Sequence, residues 1–353
     1  MKALVLAGGS GTRLRPFSYS VPKQLMSIVN KPVLEHVLGE LDRIGVTDVG
    51  IVVGHGAAQI ADVIGDGTRL GMRITYIRQE SPKGLAHAVR VAREFLGDDD
   101  FVMYLGDNML PEGIGEVAAE FRDHRTAARV VVRKVADPRA FGVVELDADG
   151  GVTKLVEKPS EPLSDLALIG VYFFTAAIHD AVVAIEPSAR GELEITDAVQ
   201  WLLDSGAEVA ATEYAGYWRD IGSAEDVLEC NRRLLDDIVP DVLGDVVDSE
   251  LVGPVVVEPG ARVVRSRVQG PAVIGAGTLV QDSQVGPHTT VGRDCVIDNA
   301  RLRDTVVLDG AAINDVRGID SSLIGRSATV GTTDQDARVR LVIGDFTQVR
   351  VAA

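Results

Sequence analysis

Cysteine is nearly absent: Cys230 and Cys295 are the only two in 353 residues, and their contexts share no metal-type spacing. A disulfide framework is therefore not expected, and a reducing cytoplasm suits the chain. Long hydrophobic runs are missing too. The longest, such as Leu166–Phe174, falls far short of the roughly 20 residues that a membrane-spanning helix needs. No charged-then-apolar leader precedes the strand-like run Lys2–Ala7, so export is not expected. Positive charge is scarce, with 35 Lys and Arg against 52 Asp and Glu, a formal net charge of −17. That balance argues against a nucleic-acid binder, whose phosphate contacts need a basic footprint. A small phosphorylated ligand stays compatible, because its pocket needs only a few local cations. The 46% apolar and 25% charged residues are those of an ordinary folded protein, and the length is enough for two domains.

Two periodicities divide the chain. Up to about residue 238, short β-rich apolar runs alternate with amphipathic stretches. The runs are Ala3–Leu6, Val49–Val53, Ile74–Ile77, Phe101–Leu105, Arg129–Lys134 and Val171–Phe174; the stretches include Val33–Ile44, Gly84–Phe95, Ile114–His124 and Ile195–Asp204. Such alternation predicts a doubly wound α/β fold, a mostly parallel sheet with helices on both faces. Ala224–Asp237 reads as one more helix. After about residue 250 single aliphatic residues recur every five or six positions, at Val257, Val263, Val268, Ile274, Val280, Val285, Val291, Ile297, Leu302 and Leu308. This is the hexapeptide-repeat pattern of a triangular parallel β-helix, in which each coil stacks its inward aliphatics on the last. A Val/Gly-rich sandwich would alternate with period two, which the sequence does not do. The expected division is 1–238 and 239–353.

The first strand runs into Ala7-Gly8-Gly9-Ser10-Gly11-Thr12-Arg13-Leu14. Glycines let backbone amides approach a phosphate, and Arg13 adds a permanent charge. The spacing fits neither G-x-G-x-x-G nor a Walker loop. Ten residues on, Pro22-Lys23-Gln24 adds a second cation.

Together these two segments resemble the signature of the nucleotidylyltransferases that activate sugar 1-phosphates. Further segments fall in that family's order: Gln79 to Ala86, Leu105-Gly106-Asp107-Asn108, Phe141 to Val144, Glu157-Lys158-Pro159, Arg190 to Asp197, and Trp218 to Gly222. They are more similar to the glucose-1-phosphate thymidylyltransferase branch than to the uridylyl or guanylyl ones. The repeat-bearing tail resembles that branch's long form, with a left-handed β-helix, which serves deoxysugar synthesis. The resemblance implies a Rossmann-like nucleotidyltransferase fold and transfer of a thymidylyl group from dTTP to α-D-glucose 1-phosphate, with Mg²⁺. UTP, or another sugar 1-phosphate, is the alternative.

The resemblance also implies roles. Gly8, Gly9, Gly11 and Thr12 would line the triphosphate, with Arg13 and Lys23 neutralising it and Gln24 on the deoxyribose side. Gln79 and Gly84 would read the base. Asp107 and Asp220 would hold Mg²⁺, an ion suited to carboxylate and phosphate oxygens. Glu157, Asn108 and Gly142 would take the sugar, Lys158 and Arg190 its phosphate, and Leu168 to Gly170 would shape the pocket. Two departures stand out: Phe141 replaces the usual tyrosine, and Ser18 the usual threonine. A silent paralogue is disfavoured because Arg13, Lys23, Asp107, Lys158 and Asp220 are all present. Acyl transfer through the repeat would need a base, and His288 is the only histidine there. Assembly into a homo-oligomer is the expected use of the tail.

Overall fold

The computed structural model describes residues 1–9, 11–332, 342, 343, 345 and 348–351. The chain forms two compact units: Met1–Ser10 with Leu34–Asp220, and Gly11–Val33 with Ile221–Ala353. This division by compactness differs from one drawn by repeat and motif, because a short amino-terminal segment groups with the repeats. Among the described residues no helix is long and apolar enough to cross a membrane.

The first unit is built on a nine-stranded Rossmann-like sheet. From one edge it runs Val152–Glu157, Gly142–Leu146, Leu166–Phe174, Phe101–Leu105, Lys2–Ala7, Asp48–Val53 and Arg73–Arg78. Ala128–Lys134 also pairs with Leu166–Phe174, and Val209–Glu213 pairs with Ala128–Lys134. The strands from Phe101–Leu105 to Arg73–Arg78 are parallel, as the strand–helix alternation predicts. Leu166–Phe174 runs antiparallel to its neighbours and is buried at all nine positions, which explains its unbroken apolar run.

Helices Val33–Arg43, Gly115–Asp123 and Ile195–Asp204 follow the predicted stretches. The stretch Gly84–Phe95 splits at Ala92 into Leu85–Val91 and Arg93–Leu96. Helices Ala57–Ile64 and Ile178–Ala184 and the strands Gly142–Leu146, Val152–Glu157 and Val209–Glu213 add to the expected elements. Val152–Glu157 buries only Val152 and Leu155, so its apolar pattern is too sparse to read as a strand.

In the second unit, helix Ala224–Leu235 opens with a capping box between Ser223 and Asp226. Among the described residues, parallel strands then stack in three ladders of seven, seven and five, the arrangement of a parallel β-helix. The nine aliphatics from Val257 to Leu302 that the repeat marks as inward are all at most 1% exposed. Leu308, the next in the series, is displaced: Val307 sits opposite Val291, because that coil is one residue shorter than those before it. The corners are turned by single left-handed residues, among them Asp248, Arg265, Asp282 and Asn299. Aspartate and asparagine tolerate that backbone better than most residues.

The segment Gly11–Val33 packs within this unit. Its hairpin, Ser27–Ile28 with Lys31–Pro32, turns on Val29 and Asn30, both at positive φ. Asn30 Nδ2 donates to the Val291 carbonyl at 2.9 Å. Asn231, 1% exposed, accepts from the Val29 N–H at 3.1 Å and from Thr290 Oγ1 at 2.9 Å, and its Nδ2 donates to the His288 carbonyl at 3.4 Å. Phe17, Val21, Leu25 and Met26 share a small cleft with Leu308.

Candidate functional site

In the first unit the predicted residues gather where parallel strands end, the usual ligand side of an open α/β sheet. Gly8 and Gly9 follow Lys2–Ala7. A Cβ on Gly8 would lie 3.5 Å from Gln79 Oε1, so the glycine loop passes beside that side chain. Gln79 follows Arg73–Arg78, and its Nε2 donates to the Gly84 carbonyl at 3.3 Å and meets His87 Nδ1 at 2.9 Å. Gly84 has φ 97, and a Cβ there would stand 2.3 Å from the Leu193 carbonyl oxygen. Only glycine fits, and its neighbours are tied down: Leu193 N donates to Lys83 O at 2.8 Å and Ala86 N to Leu193 O at 3.0 Å.

Asp107 lies just beyond Phe101–Leu105 and is 8% exposed. The short strands Asn108–Met109 and Arg219–Asp220 pair antiparallel, with Asp220 opposite Asn108. Asp220 is thus opposite the residue that follows Asp107, although the two aspartates are 113 positions apart in the chain. Asn108 donates from Nδ2 to Asp107 Oδ1 at 3.1 Å and accepts from Trp218 Nε1 at 2.6 Å. Trp218 therefore orients Asn108, which orients the aspartate. Phe141 meets Trp218 edge-on at 5.3 Å between ring centres.

A second group surrounds Glu157. Its carboxylate accepts from Thr196 Oγ1 at 2.7 Å and from Arg190 Nη2 at 3.2 Å, with Lys158 Nζ at 3.5 Å. Arg190 also donates to Glu194 Oε1 at 2.7 Å. Burial alone would lower the Arg190 pKa, but Glu194, Glu157 and Glu192 outweigh it and hold the guanidinium above its ordinary value. Lys158 sits at φ 43, with its N–H on the Phe141 carbonyl at 3.0 Å. Strained backbone of this kind concentrates at functional sites. A Cβ on Gly142 would come 2.6 Å from Leu168 and 2.8 Å from Thr196 Oγ1, so nothing larger than glycine fits. One on Gly170 would meet Leu105 at 2.8 Å and Asn108 Nδ2 at 3.1 Å.

The second unit holds the other predicted residues; Ser10, between the two sets, lies outside the described residues. Gly11 packs against Lys23 and Ser18, where a Cβ would find each at 3.2 Å. Ser18 Oγ donates to the Gly11 carbonyl at 2.6 Å, so the hydroxyl alone serves this contact and the threonine methyl is not needed. Arg13 follows in the turn Thr12–Leu14 and lies over Gly222, where a Cβ would stand 2.6 Å from its Nη2. Lys23 opens Lys23–Leu25, and Gln24 is 1% exposed, its Oε1 without a hydrogen-bond partner among the described residues.

Four residues given no role in the sequence reading hold the assigned ones: His87, Trp218, Glu194 and Thr196. All lie in or beside quoted segments, so their place was visible and their partners were not. His288, considered as an acyl-transfer base, pairs through Nε2 with Asp236 Oδ1 at 2.9 Å.

Residues 2–237 match the Nucleotidyl transferase family model. The chain is 51% identical to the glucose-1-phosphate thymidylyltransferase of Streptomyces antibioticus, over 99% of both chains. It is 50% identical to that of Streptomyces griseus over the full length of both. A crystal structure of a proposed glucose-1-phosphate thymidylyltransferase from Bacillus anthracis, with sucrose, superposes with a TM-score of 0.63 at 33% identity, covering 67% of this chain and 96% of the other. With a family model matched over residues 2–237, a Rossmann-like sheet, and 51% and 50% identity along two such enzymes, the chain belongs to the nucleotidyl transferase family, among the glucose-1-phosphate thymidylyltransferases.

Proposed function

We propose that the chain transfers a thymidylyl group from dTTP to α-D-glucose 1-phosphate, giving dTDP-glucose and pyrophosphate. The observation that supports this reading is the pairing of Asn108–Met109 with Arg219–Asp220, which sets Asp220 opposite the residue next to Asp107, just beyond a parallel strand. The names of the full-length relatives supply the substrates.

The reaction is a direct displacement. An oxygen of the sugar phosphate attacks the α-phosphorus of dTTP as the bond to the α,β-bridging oxygen breaks, and pyrophosphate leaves with that electron pair. The attacking group is already anionic, so alignment and charge neutralisation do the catalysis. Among the described residues no group of three or more His, Cys, Asp or Glu forms a metal cluster. A two-carboxylate set suits Mg²⁺, which completes its shell with phosphate oxygens and water. Asp107 and Asp220 would hold it, and when bound it would neutralise charge on the α-phosphate.

Arg13 and Lys23 neutralise the triphosphate, and Gly8, Gly9, Gly11 and Thr12 offer it backbone amides. Gln24 takes the deoxyribose side; Gln79 and Gly84 read the base. Lys158 and Arg190 hold the sugar phosphate. Glu157, Asn108 and Gly142 hold the sugar, with Leu168 and Gly170 as its wall. We assign catalysis to 1–238 and a left-handed β-helix to 239–353, in a cytoplasmic homo-oligomer serving deoxysugar synthesis.

Pyrophosphate release across a grid of nucleoside triphosphates and sugar 1-phosphates tests the reading. The thymine methyl is worth about 1–3 kcal/mol in an apolar pocket, roughly 10–200-fold. dTTP with glucose 1-phosphate is expected to lead, UTP to follow measurably, and purine triphosphates to be poor. Equal kcat/KM for dTTP, dUTP and UTP overturns the thymidylyl assignment.

A further inference from the structure

Gln79 is an amide with two opposite ends, and which end faces a base decides which base is accepted. Its Nε2 is surrounded by acceptors: the Gly84 carbonyl at 3.3 Å, which can only accept, and His87 Nδ1 at 2.9 Å. The amide orientation therefore follows from the chemistry of its neighbours. Oε1 points the other way, beside Gly8.

We propose that His87 is a positioning residue that locks the Gln79 amide with its oxygen presented to the nucleotide, so that the site accepts imide pyrimidines and rejects aminopyrimidines. The inference rests on the reading of Gln79 as the base-reading residue. Thymine and uracil carry N3–H, a donor that Oε1 accepts. Cytosine carries a bare N3 lone pair at that position, which Oε1 repels. A freely rotating amide could turn its NH₂ toward cytosine N3; an amide held by two acceptors cannot without setting its own oxygen against the Gly84 carbonyl oxygen and the His87 Nδ1 lone pair.

The lock needs His87 neutral with its proton on Nε2. Burial holds the His87 pKa below its ordinary value, and the nearby charges of Arg90 and Lys83 act the same way. His87 lies in helix Leu85–Val91, whose start is fixed by the Ala86 N–H on Leu193 O at 3.0 Å, so the imidazole is carried on a rigid element.

The test compares kcat/KM for dTTP and dCTP in the wild type, His87→Leu, His87→Gln and Gln79→Ala. His87→Leu keeps bulk and removes the acceptor. It should raise KM for dTTP with kcat little changed and reduce the dTTP:dCTP preference by roughly tenfold or more. His87→Gln, which offers an oxygen to Gln79 Nε2, should restore most of that preference. If Gln79→Ala collapses the preference while His87→Leu leaves it intact, the His87 inference fails and the reading of Gln79 survives. If Gln79→Ala also leaves it intact, the base-reading role itself is wrong. A readout free of folding defects is the ¹⁵N spectrum of the wild-type imidazole. The Nε2–H tautomer is expected, and an Nδ1–H tautomer overturns the lock.

Discussion

The nine-stranded sheet and the stacked coils use the same residue types to opposite ends. In the coils each inward valine meets an equivalent residue one turn away, Val263 opposite Val280 and Val280 opposite Ile297. In the sheet unit the site contacts do not repeat along the chain: Asp220 pairs with Asn108, and Thr196 bonds Glu157. Redundancy makes the coils tolerant and the site fragile. A single substitution in the coils should therefore cost stability alone, and one in the site should cost turnover.

The sharpest contrast is at the carboxylates. Asp107→Asn or Asp220→Asn is expected to lower turnover about 10²–10³-fold, a loss of roughly 3–4 kcal/mol of transition-state stabilisation, with the melting temperature barely moved. Steady-state rates across a magnesium titration, beside a thermal melt, check both halves. Wild-type rates from both variants with EDTA present would end the metal assignment.

Asn231 breaks the contrast, because it is a single, non-redundant contact inside the repeat-bearing unit. Asn231→Ala removes the partner of the half-buried Val29 N–H and of the buried Thr290 hydroxyl, a cost of about 1–3 kcal/mol. Because the Gly11–Val33 segment also bears Arg13 and Lys23, KM for dTTP should rise several-fold as well. A melt that falls without any change in KM would show the hairpin to be a purely structural tie.

Val280→Ala tests redundancy itself. Removing two methyl groups from the coil core should cost about 2 kcal/mol in denaturant unfolding and leave kcat/KM unchanged. A large loss of activity would mean the coils transmit strain.

The smallest effect belongs to the fork between Arg232 and Asp304, whose Nη2 and Oδ2 lie 2.7 Å apart. Burial pushes the Asp304 pKa up, but hydrogen bonds from Arg232 and Ser321 outweigh it and hold the carboxyl below its usual range. A carboxyl depressed in the folded state adds stability above its unfolded pKa and loses it as pH falls through the folded value. With partial solvent access discounted, the pair is worth about 1 kcal/mol. The stability difference between wild type and Asp304→Asn should therefore be flat from neutral pH down to about pH 4 and vanish below it. A difference unchanged at pH 2 would assign the effect to packing.

The same contrast governs what the sequence discloses. The coil frame could be read because a residue's partner lies one coil away, and along the Val257–Leu308 series it slips where the Val291–Val307 coil drops a residue. The strands and glycine loop were legible from local periodicity and motif. What was not legible depends on distant chain: the ladder joining Asn108 to Asp220, the Leu193 clasp on Gly84, and the grouping of Gly11–Val33 with the repeats. Trp218 and Thr196 stood in plain view inside recognised segments. Their roles depend on hydrogen-bond partners 110 and 39 positions away, which no local pattern encodes.

The hairpin at Val29 and Asn30 carries a consequence for how the chain is made. Its anchors, Asn231 and Val291, leave the ribosome long after it does. At about 5–20 residues per second, the gap is on the order of 10–50 s. A coil, by contrast, waits only about 1–3 s for the next one to cover it. Through that interval the apolar side chains Phe17, Leu25 and Met26 lack the Leu308 side of their cleft. The nascent amino-terminal segment therefore keeps part of its apolar surface uncovered until the repeats have been made.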